Sequence, residues 1–360
     1  MPVTLLNFLY HYPFIFIFIT GILGLVFMPL VLRVAKERNF VVKPNKRTSH
    51  VGAIPTVGGL DIFISFLIFY VIFSYNHLQY SHYLMAGVTL ILMTGFIDDL
   101  IDLSASLKLA GEVLAGVFLI VFADIRITNL FGLFGIHELS LVGSYVISFI
   151  SLVAITNALN LIDGVDGLAS GLGMLYSLVF ALYFQAAGDV HMAVLAYALI
   201  GSLAVFFLYN VFGGTRRKIF MGDSGSLTLG FFLAFLFVKA IAVNPNIMPM
   251  SPKRVLIAYS LLIIPTFDVV RVVLHRIRNR KPIFDADKSH IHHKILAMGY
   301  NQHYTLFFII LLTLTFVGTN VILGNMNVGL TGILLIDIAL YTMLHIGINQ
   351  KIKLKKKVEK

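Results

Sequence analysis

Long apolar runs separated by short polar segments dominate the chain. The runs are about 16–22 residues long, and a helix of about 20 apolar residues crosses the roughly 30 Å hydrocarbon core of a bilayer. The pattern therefore predicts an all-α integral membrane protein with about eleven transmembrane helices. The predicted spans are 13–32, 59–76, 83–97, 107–123, 141–161, 168–187, 191–212, 225–243, 254–274, 304–323 and 328–348.

Composition supports this class. Of the 360 residues, 58% are hydrophobic and 12% are charged, whereas an ordinary soluble domain has roughly 45–50% and about 25%. The absence of cysteine excludes disulfide scaffolds, thiolate zinc sites, iron–sulfur clusters and cysteine nucleophiles. The first apolar run is a full span without a cleavage site, so we expect it to stay as an anchor.

The basic residues predict the orientation of the spans. With the N-terminus outside, 22 of the 27 Lys and Arg residues fall in segments on the inner side and three in outer loops. This bias predicts an outer N-terminus, a cytoplasmic C-terminus and an active site built from cytoplasmic loops. Residues 1–350 are predicted to form one polytopic domain, followed by a basic cytoplasmic tail at 351–360 near the membrane surface.

Three carboxylates lie at the cytoplasmic end of the third predicted span. Asp98, Asp99 and Asp102 follow one another at i, i+1 and i+4, near the helix end where the macrodipole disfavours negative charge. A hard divalent cation with oxygen ligands, such as Mg²⁺, would stabilise them. The alternative is that they only cap and solvate the helix.

Two Asp-Gly steps follow the fifth predicted span. Asp163 and Asp166 each precede a glycine, and Asn157 and Asn160 lie upstream at helical spacing. Asp-Gly is common turn chemistry, but polar groups at this depth usually face a cavity or a partner rather than lipid. We favour a functional turn over a purely structural one.

A glycine-flanked carboxylate precedes the eighth predicted span. Asp223 lies within the segment 220–227, where the glycines allow the backbone to approach a phosphate or a metal near a helix N-terminus. The alternative is an N-cap formed by Ser224 or Ser226.

Two further cytoplasmic loops carry basic and imidazole groups. His290, His292 and His293 lie within four positions of the longest loop. Zinc is one interpretation, but the lack of cysteine and the nearby hard carboxylates favour contacts with phosphate oxygens or proton donation. Lys46 and Arg47 lie in a basic loop that is either an anion-attracting wall or only a positive-inside loop.

Aspartates for Mg²⁺, glycine turns and cations for phosphates together indicate phosphoryl transfer by positioning and charge neutralisation. Because these groups lie at the bilayer surface, we expect one reactant to be a lipid.

The motifs resemble those of the polyprenyl-phosphate N-acetylhexosamine-1-phosphate transferases. The segments 98–99, 160–169, 220–227 and 290–293 match in order and on the same side of the membrane. One branch of this family uses UDP-MurNAc-pentapeptide in peptidoglycan synthesis and typically has lysine where this chain has Asp102, and three consecutive histidines. The departures favour the branch that transfers GlcNAc-1-phosphate, with the peptidoglycan branch as the alternative.

The resemblance implies transfer of HexNAc-1-phosphate from a UDP-sugar to undecaprenyl phosphate in the bacterial inner membrane. The expected product is undecaprenyl-diphosphate-HexNAc, which initiates a cell-surface glycan, and UMP is released. The expected partners are these two substrates and membrane lipids, and no nucleic acid is expected. A homodimer is one oligomeric state that we keep open.

The resemblance also assigns roles to residues. The implied metal, Mg²⁺ or alternatively Mn²⁺, would lie at Asp223, Asp98, Asp99 and Asn160. The implied catalytic residues are Asp98, Asp99, Lys108, His290, His292 and His293. The implied substrate-binding residues are Asn157, Asn160, Asp163, Asp166 and Phe220, and the charge of the basic loop adds Lys46 and Arg47 to this set.

A transporter is the alternative from another class, because charged residues within apolar segments can mark a pathway. The residues concerned are Asp61, Glu112, Lys239, Asp268, Arg271 and Asp337. Asp268 and Arg271 are spaced to pair on one helix, Asp61 and Glu112 lie near cytoplasmic ends, and Lys239 can extend outward. Asp337 has no explanation in the sequence. A CDP-alcohol phosphotransferase is excluded, because Ser170 stands where its signature requires arginine.

Overall fold

The protein is a helical bundle with two small hairpins. The structure is a computed structural model that describes residues 8–42, 54–73, 80–242, 252–280, 282 and 289–358. The helices are α1 (Ile15–Glu37), α2 (Gly58–Phe73), α3 (Ser81–Ile101), α4 (Ala105–Val117, continued by a π-helical turn Phe118–Phe122), α5 (Leu141–Ile162), α6 (Leu168–Ala186), α7 (Val190–Phe212), α8 (Gly214–Arg217), α9 (Gly222–Ile241), α10 (Pro252–Leu261), α11 (Ile263–Arg278), α12 (Ile291–Ala297), α13 (Gln302–Asn325) and α14 (Leu330–Val358). The antiparallel hairpins are β1 (Val41–Val42) with β2 (Ile54–Pro55), and β3 (Asn129–Leu133) with β4 (Ile136–Glu138).

The helices confirm an all-α, multi-pass membrane protein. Among the described residues, nine helices are long and apolar enough to cross a membrane, and the bent pair α10–α11 raises this number to ten. Helix α2 covers the remaining predicted span but has only 16 residues. Each predicted span thus coincides with a helix or a helix pair, while eleven crossings and their orientation stay predictions.

The predicted span 254–274 is not one straight helix, which corrects the sequence interpretation. Helices α10 and α11 meet at Leu262 with a bend of 56°. Pro265 lies one turn further on, has no N–H to donate, and its ring would collide with the carbonyl of Leu261. The break therefore falls where proline chemistry requires it.

Helix α9 lies at the centre of the bundle and is almost completely buried, with α3 and α5 packed against it. Two glycines allow this close approach. A Cβ atom on Gly95 of α3 would lie 2.6 Å from Ser224 Cα, and one on Gly230 of α9 would lie 2.6 Å from the carbonyl oxygen of Thr156. Small residues at such contacts are typical of helix packing in membranes. They place the N-terminus of α9 beside the C-terminal ends of α3 and α5.

Most charges that the transporter interpretation used have local partners. Asp268 pairs with Arg271 at 2.8 Å, as their spacing predicts. Asp337 Oδ2 accepts a hydrogen bond of 2.9 Å from Asn320, which also donates to Ser260 Oγ at 2.9 Å, so a polar cluster joins α14, α13 and α10. Asp61 is fully buried, and its carboxylate has no hydrogen-bond partner among the described residues.

Candidate active site

Asp99 caps the N-terminus of α9 from a neighbouring helix. Its Oδ1 accepts a hydrogen bond of 2.7 Å from the Asp223 amide, and its Oδ2 accepts one of 3.0 Å from the Ser224 amide. The first amides of a helix have no partner within the helix and carry the positive end of its dipole. A carboxylate from α3 therefore stabilises them and locks the first motif onto the third. The alternative N-cap at Ser224 or Ser226 is wrong, because both residues lie inside α9.

Gly222 makes this junction possible. It has a φ of +73°, and a Cβ there would lie 2.6 Å from Asp99 Oδ2. Any side chain at this position would both strain the backbone and displace the carboxylate. The glycine that the sequence suggested as a close-approach residue thus approaches an aspartate of the same chain.

Lys108 joins two of the predicted site aspartates. Its Nζ forms an ion pair with Asp98 Oδ2 and lies 4.0 Å from Asp223 Oδ2. The Asp98 side chain is only 1% exposed, whereas those of Lys108 and Asp223 are 28% and 36% exposed. Asp98 is thus the buried anchor of this cluster, and Lys108 and Asp223 are the groups that a ligand can reach.

Asn160 ties α5 to the same cluster. Its Nδ2 donates to Asp223 Oδ1 at 2.5 Å and to Ser226 Oγ at 2.8 Å. Asn157, one turn earlier, donates to Glu112 of α4 and to the carbonyl of Val153. The pair Glu112–Asn157 therefore joins α4 and α5 next to the site. The partnership of Glu112 was not anticipated, although its near-complete burial follows from lying in an apolar run.

The Asp-Gly turn presents one unpaired carboxylate. Asp163 follows α5 directly, and among the described residues nothing donates a hydrogen bond to its side chain. Burial, reinforced by the negative charges of Asp223, Asp166 and Asp99, raises the pKa of Asp163 from 3.8 to about 7. Near neutral pH this carboxylate is therefore poised to gain or lose a proton, and a cation beside it would favour its ionised form.

Asp166 belongs to a second ion pair. Its Oδ2 lies 2.5 Å from Lys218 Nζ, which also lies 5.6 Å from the centre of the Phe220 ring. Asn210 of α7 holds the two segments together, because it accepts from the Gly167 amide at 2.6 Å and donates to the Ile219 carbonyl at 2.8 Å. The second and third motifs are thereby fixed to each other.

Asp268 organises the histidine segment. Its Oδ2 lies 2.8 Å from His290 Nδ1, and its carboxylate accepts from the Ile291 amide at the start of α12. Tyr341 of α14 donates to Asp268 Oδ1 at 3.2 Å. Arg271 donates to the same oxygen and, at 2.5 Å, to the Ser289 carbonyl. A single buried aspartate thus positions the whole segment.

His292 lies against the Asp-Gly turn. A Cβ on Gly164 would lie 2.3 Å from His292 Nε2, so only glycine leaves room for the ring. His292 is 1% exposed, and neither ring nitrogen has a hydrogen-bond partner among the described residues. Burial, with the charges of His293 and His290 in addition, lowers the pKa of His292 to about 3. His292 is therefore neutral at physiological pH, with one ring nitrogen able to donate and the other able to accept.

The structure thus brings three motifs together directly and the fourth through His292. Lys46 and Arg47, and the segment 283–288 before the histidines, lie outside the described residues. Sequence reasoning missed Asn210, Lys218 and Asp268 as organising residues. Asn210 and Asp268 are polar residues in apolar helices, which was the only available signal.

The donor set fits Mg²⁺ better than a softer metal. The described residues contain no group of three His, Asp or Glu side chains arranged to hold a metal ion. Asp223 is accessible, Asp163 has no partner within the described ranges, and their oxygens are hard ligands. Mg²⁺ is usually held by one or two carboxylates, waters and substrate phosphates rather than by a protein cage. These residues therefore suit a cation that arrives with a phosphorylated substrate.

At one end of this multi-pass bundle lie carboxylates, lysines paired with them, and a helix N-terminus that begins at a glycine. This arrangement is typical of a membrane phosphotransferase. The model of Glycosyl transferase family 4 matches residues 81–241. The chain is 30% identical over 311 residues to the Bacillus subtilis (strain 168) protein named "Probable undecaprenyl-phosphate N-acetylglucosaminyl 1-phosphate transferase". The matched residues are 85% of this chain and 84% of the relative.

A second relative is the undecaprenyl-phosphate alpha-N-acetylglucosaminyl 1-phosphate transferase of Escherichia coli (strain K12). It is 29% identical over 290 residues, which are 80% of this chain and 76% of the relative. The Yersinia pestis protein of the same name is 29% identical over 281 residues, 78% of this chain and 75% of the relative. The chain belongs to Glycosyl transferase family 4.

Proposed function

We propose that this protein transfers N-acetylhexosamine-1-phosphate, specifically GlcNAc-1-phosphate, from a UDP-sugar to undecaprenyl phosphate and releases UMP. The observation that carries the proposal is the cluster of Asp98, Lys108 and Asp223, because it brings an accessible ammonium group of α4 to within 4.0 Å of an accessible carboxylate at the N-terminus of α9. The names of the relatives contain undecaprenyl phosphate and N-acetylglucosaminyl 1-phosphate, which supports the lipid acceptor and the transferred group. The positive-inside bias supports a cytoplasmic site in the inner membrane.

The main task of the site is to bring two polyanions together. The acceptor is a phosphate monoester, whose second pKa is about 6, so it is largely dianionic at pH 7. Deprotonating it would therefore contribute little, and positioning and charge neutralisation would contribute most. Lys108 and Lys218 supply positive charge near the two ends of the segment 160–166. Lys108 Nζ lies 4.0 Å from Asp223, the partner of Asn160, and Lys218 pairs with Asp166.

Asp223, with Asp163 and the Oδ1 of Asn160, would hold Mg²⁺ together with the diphosphate of the donor. When bound, the cation supplies Lewis-acid neutralisation of the phosphate oxygens. Asp99 keeps the α9 amides in place beneath Asp223, so in this proposal it acts as a positioning residue. Asp98 holds Lys108 close to the substrates, and His292 donates or accepts a hydrogen bond beside the Asp163–Gly164 turn.

The proposed chemistry is direct attack of a phosphate oxygen of the lipid on the β-phosphorus of the UDP-sugar, which is the phosphorus bonded to the sugar. The bond between this phosphorus and the bridging oxygen of the diphosphate breaks, and UMP leaves with that oxygen. The rival is a covalent phospho-aspartyl intermediate. Incubating the enzyme with donor carrying ³²P in the sugar phosphate, without acceptor lipid, distinguishes them. Label trapped on the protein would contradict direct attack.

The test of function is UMP release by the purified protein in nanodiscs with undecaprenyl phosphate. The donors are UDP-GlcNAc, other UDP-HexNAc sugars and UDP-MurNAc-pentapeptide. We expect release with UDP-GlcNAc that requires both the lipid and the divalent cation, with Mn²⁺ compared against Mg²⁺. Release with the pentapeptide donor alone would move the protein to the peptidoglycan branch, and no release with any donor would contradict the proposal.

The Asp223→Asn variant tests the metal assignment. It keeps the shape and the hydrogen bond to Asn160 but removes one negative charge, so we expect the Mg²⁺ concentration for half-maximal rate to rise at least tenfold. Asp124→Asn, at an exposed aspartate outside the site, is the matched control and should leave the Mg²⁺ dependence unchanged. An unchanged Mg²⁺ dependence in Asp223→Asn would remove Asp223 from the metal site.

A further inference from the structure

A second, strongly basic cleft lies between the end of α1 and the junction of α7 with α8. Its volume is about 380 Å³. It is lined by Pro29, Leu32, Arg33, Lys36, Tyr209, Arg216 and Arg217. None of the residues assigned above to the metal, the UDP-sugar or the histidine segment lines this cleft.

The four cations of the cleft have no anionic partners in the part of the chain that the structure describes. Among the described residues, neither arginine of α8, nor Arg33, nor Lys36 forms an ion pair. Lys36 Nζ donates to the Arg216 carbonyl at 2.7 Å, which ties α1 to α8 without neutralising either charge. By contrast, Lys108, Lys218 and Arg271 each pair with an aspartate. The cleft therefore concentrates uncompensated positive charge from two distant parts of the chain.

The surroundings of the cleft are apolar. Pro29 and Leu32 contribute to its wall. Leu30 and Leu208, each next in sequence to a lining residue, are 52% and 50% exposed, and Phe212, three residues after the lining Tyr209, is 69% exposed. Side chains of this kind on a membrane-spanning helix face lipid. A ligand that satisfies both features needs an anionic head and hydrocarbon chains.

We propose that this cleft binds the phosphate-bearing headgroup of an anionic phospholipid. The headgroup phosphate interacts with Arg33, Arg216 and Arg217, and the acyl chains lie along the exposed apolar faces of α1 and α7. Basic pockets between transmembrane helices are suited to such headgroups. The bound lipid would hold α8 against α1, and α8 leads directly to Lys218 and Phe220.

A bulk phospholipid fits better than the acceptor lipid. The reactive cluster lies between α3, α5 and α9, whereas the cleft belongs to α1, α7 and α8. Lys218 follows Arg217 of the cleft in sequence and precedes Asp223 of the reactive cluster. It forms an ion pair with Asp166 and does not line the cleft. A phosphate held by Arg33 and Arg217 is thus on a different set of helices from Asp223.

Tryptophan fluorescence tests this proposal directly, because the chain contains no tryptophan. The Phe212→Trp variant places a single fluorophore beside the cleft, and Phe307→Trp, at an exposed position of α13, is the matched control. Both are reconstituted in phosphatidylcholine vesicles, which add no tryptophan. The vesicles contain either brominated phosphatidylglycerol or brominated phosphatidylcholine at the same mole fraction. We expect the anionic lipid to quench Phe212→Trp several times more strongly than the neutral one, and both lipids to quench Phe307→Trp equally.

The second part of the test removes positive charge from the cleft in the Phe212→Trp variant and repeats the quenching measurement. Each basic residue near an anionic headgroup strengthens binding about fivefold, so Arg33→Gln, Arg216→Gln and Arg217→Gln together should abolish the preference. The control is Lys353→Gln, Lys356→Gln and Lys357→Gln, which removes the same charge from exposed positions of α14. Equal quenching by both lipids before any charge is removed, or an unchanged preference afterwards, would overturn the proposal.

Competition identifies the source of the phosphate. We expect unbrominated phosphatidylglycerol to displace brominated phosphatidylglycerol from the cleft. Inorganic phosphate, and undecaprenyl phosphate at a lower mole fraction, should not displace it. Displacement by that trace of undecaprenyl phosphate would instead make the cleft an acceptor site and overturn the assignment. Native mass spectrometry of the unsubstituted chain, with retained phosphatidylglycerol as the readout, guards against an effect of the tryptophan itself.

Discussion

Replacing Asp99 by asparagine should loosen the N-terminus of α9 before it affects anything else. The aspartate accepts from two backbone amides, at 2.7 and 3.0 Å, and asparagine offers one acceptor oxygen and no charge. Losing one hydrogen bond to a charged group costs about 1.5–3 kcal/mol, and losing the charge at a helix N-terminus costs about 0.3–1 kcal/mol. Because these terms overlap, we expect a local cost of about 2–3 kcal/mol.

Hydrogen exchange measures that cost where it arises. A loss of about 2–3 kcal/mol in the opening free energy corresponds to exchange that is about 30–150-fold faster. We expect this acceleration for the amides of Asp223 and Ser224, with the interior of α9 unchanged. Asp102→Asn is the control, because this exposed neighbour has no hydrogen bond to α9.

Opening of the α9 N-terminus should also affect catalysis. If Asp99 acts by positioning Asp223, the rate and the apparent Mg²⁺ affinity of Asp99→Asn should fall together with the protection of these amides. Loss of activity with exchange indistinguishable from that of Asp102→Asn would refute the positioning role. Asp99 would then contact the metal or the substrate itself.

Three further predictions concern the histidine segment. Gly164→Ala places a methyl group 2.3 Å from His292 Nε2, and such overpacking costs about 1–3 kcal/mol. The rate of UMP release should therefore fall about tenfold. Gly329→Ala, which adds a methyl group in open space, should leave the rate unchanged. The pKa of His292 is lowered to about 3, so below about pH 6.5 the unfolded chain binds a proton that the folded chain does not. The free energy of unfolding should therefore decrease by about 2 kcal/mol from pH 7 to pH 5. Denaturation at the two pH values should show that His292→Gln removes this decrease, and an equal decrease in the variant would contradict the prediction. Asp268→Asn should weaken the start of α12 and lower the rate, with faster exchange of the Ile291 amide as the direct measurement; unchanged exchange there would show that Asp268 does not hold the segment.

The spans and the order of the motifs were predictable, because both depend on local patterns. Apolar length alone gives a helix of membrane-spanning size, and α3, α5 and α9 begin and end close to the predicted limits. The predicted cluster at Asp98 and Asp223 formed because both residues lie at helix ends on the same side of the bundle. Their contacts required only that the helices pack.

Long-range partners could not be predicted from those patterns. Asp268 and Arg271 have the spacing of a simple surface pair, yet Asp268 also binds His290 and Tyr341, which are 22 and 73 residues away. Asp99 was expected at the metal site or as a cap of its own helix, and the structure shows its carboxylate accepting hydrogen bonds from the first amides of α9, with Asp223 124 residues further along the chain. Asp337 had no explanation until α13 placed Asn320 beside it. Such partners depend on which helices become neighbours, and one sequence does not specify this.

The position of α9 has a consequence for how the protein is made. Asn160 enters the membrane 63 residues before its partner Asp223, and ribosomes add about 5–20 residues per second. For several seconds the polar ends of α3 and α5 are therefore synthesised but lack the helix that satisfies them. Unpaired polar groups in hydrocarbon are costly, so this interval is when the nascent chain most needs the insertion machinery or water at the membrane surface. A truncation just before residue 222 should consequently be degraded, while the full-length chain accumulates.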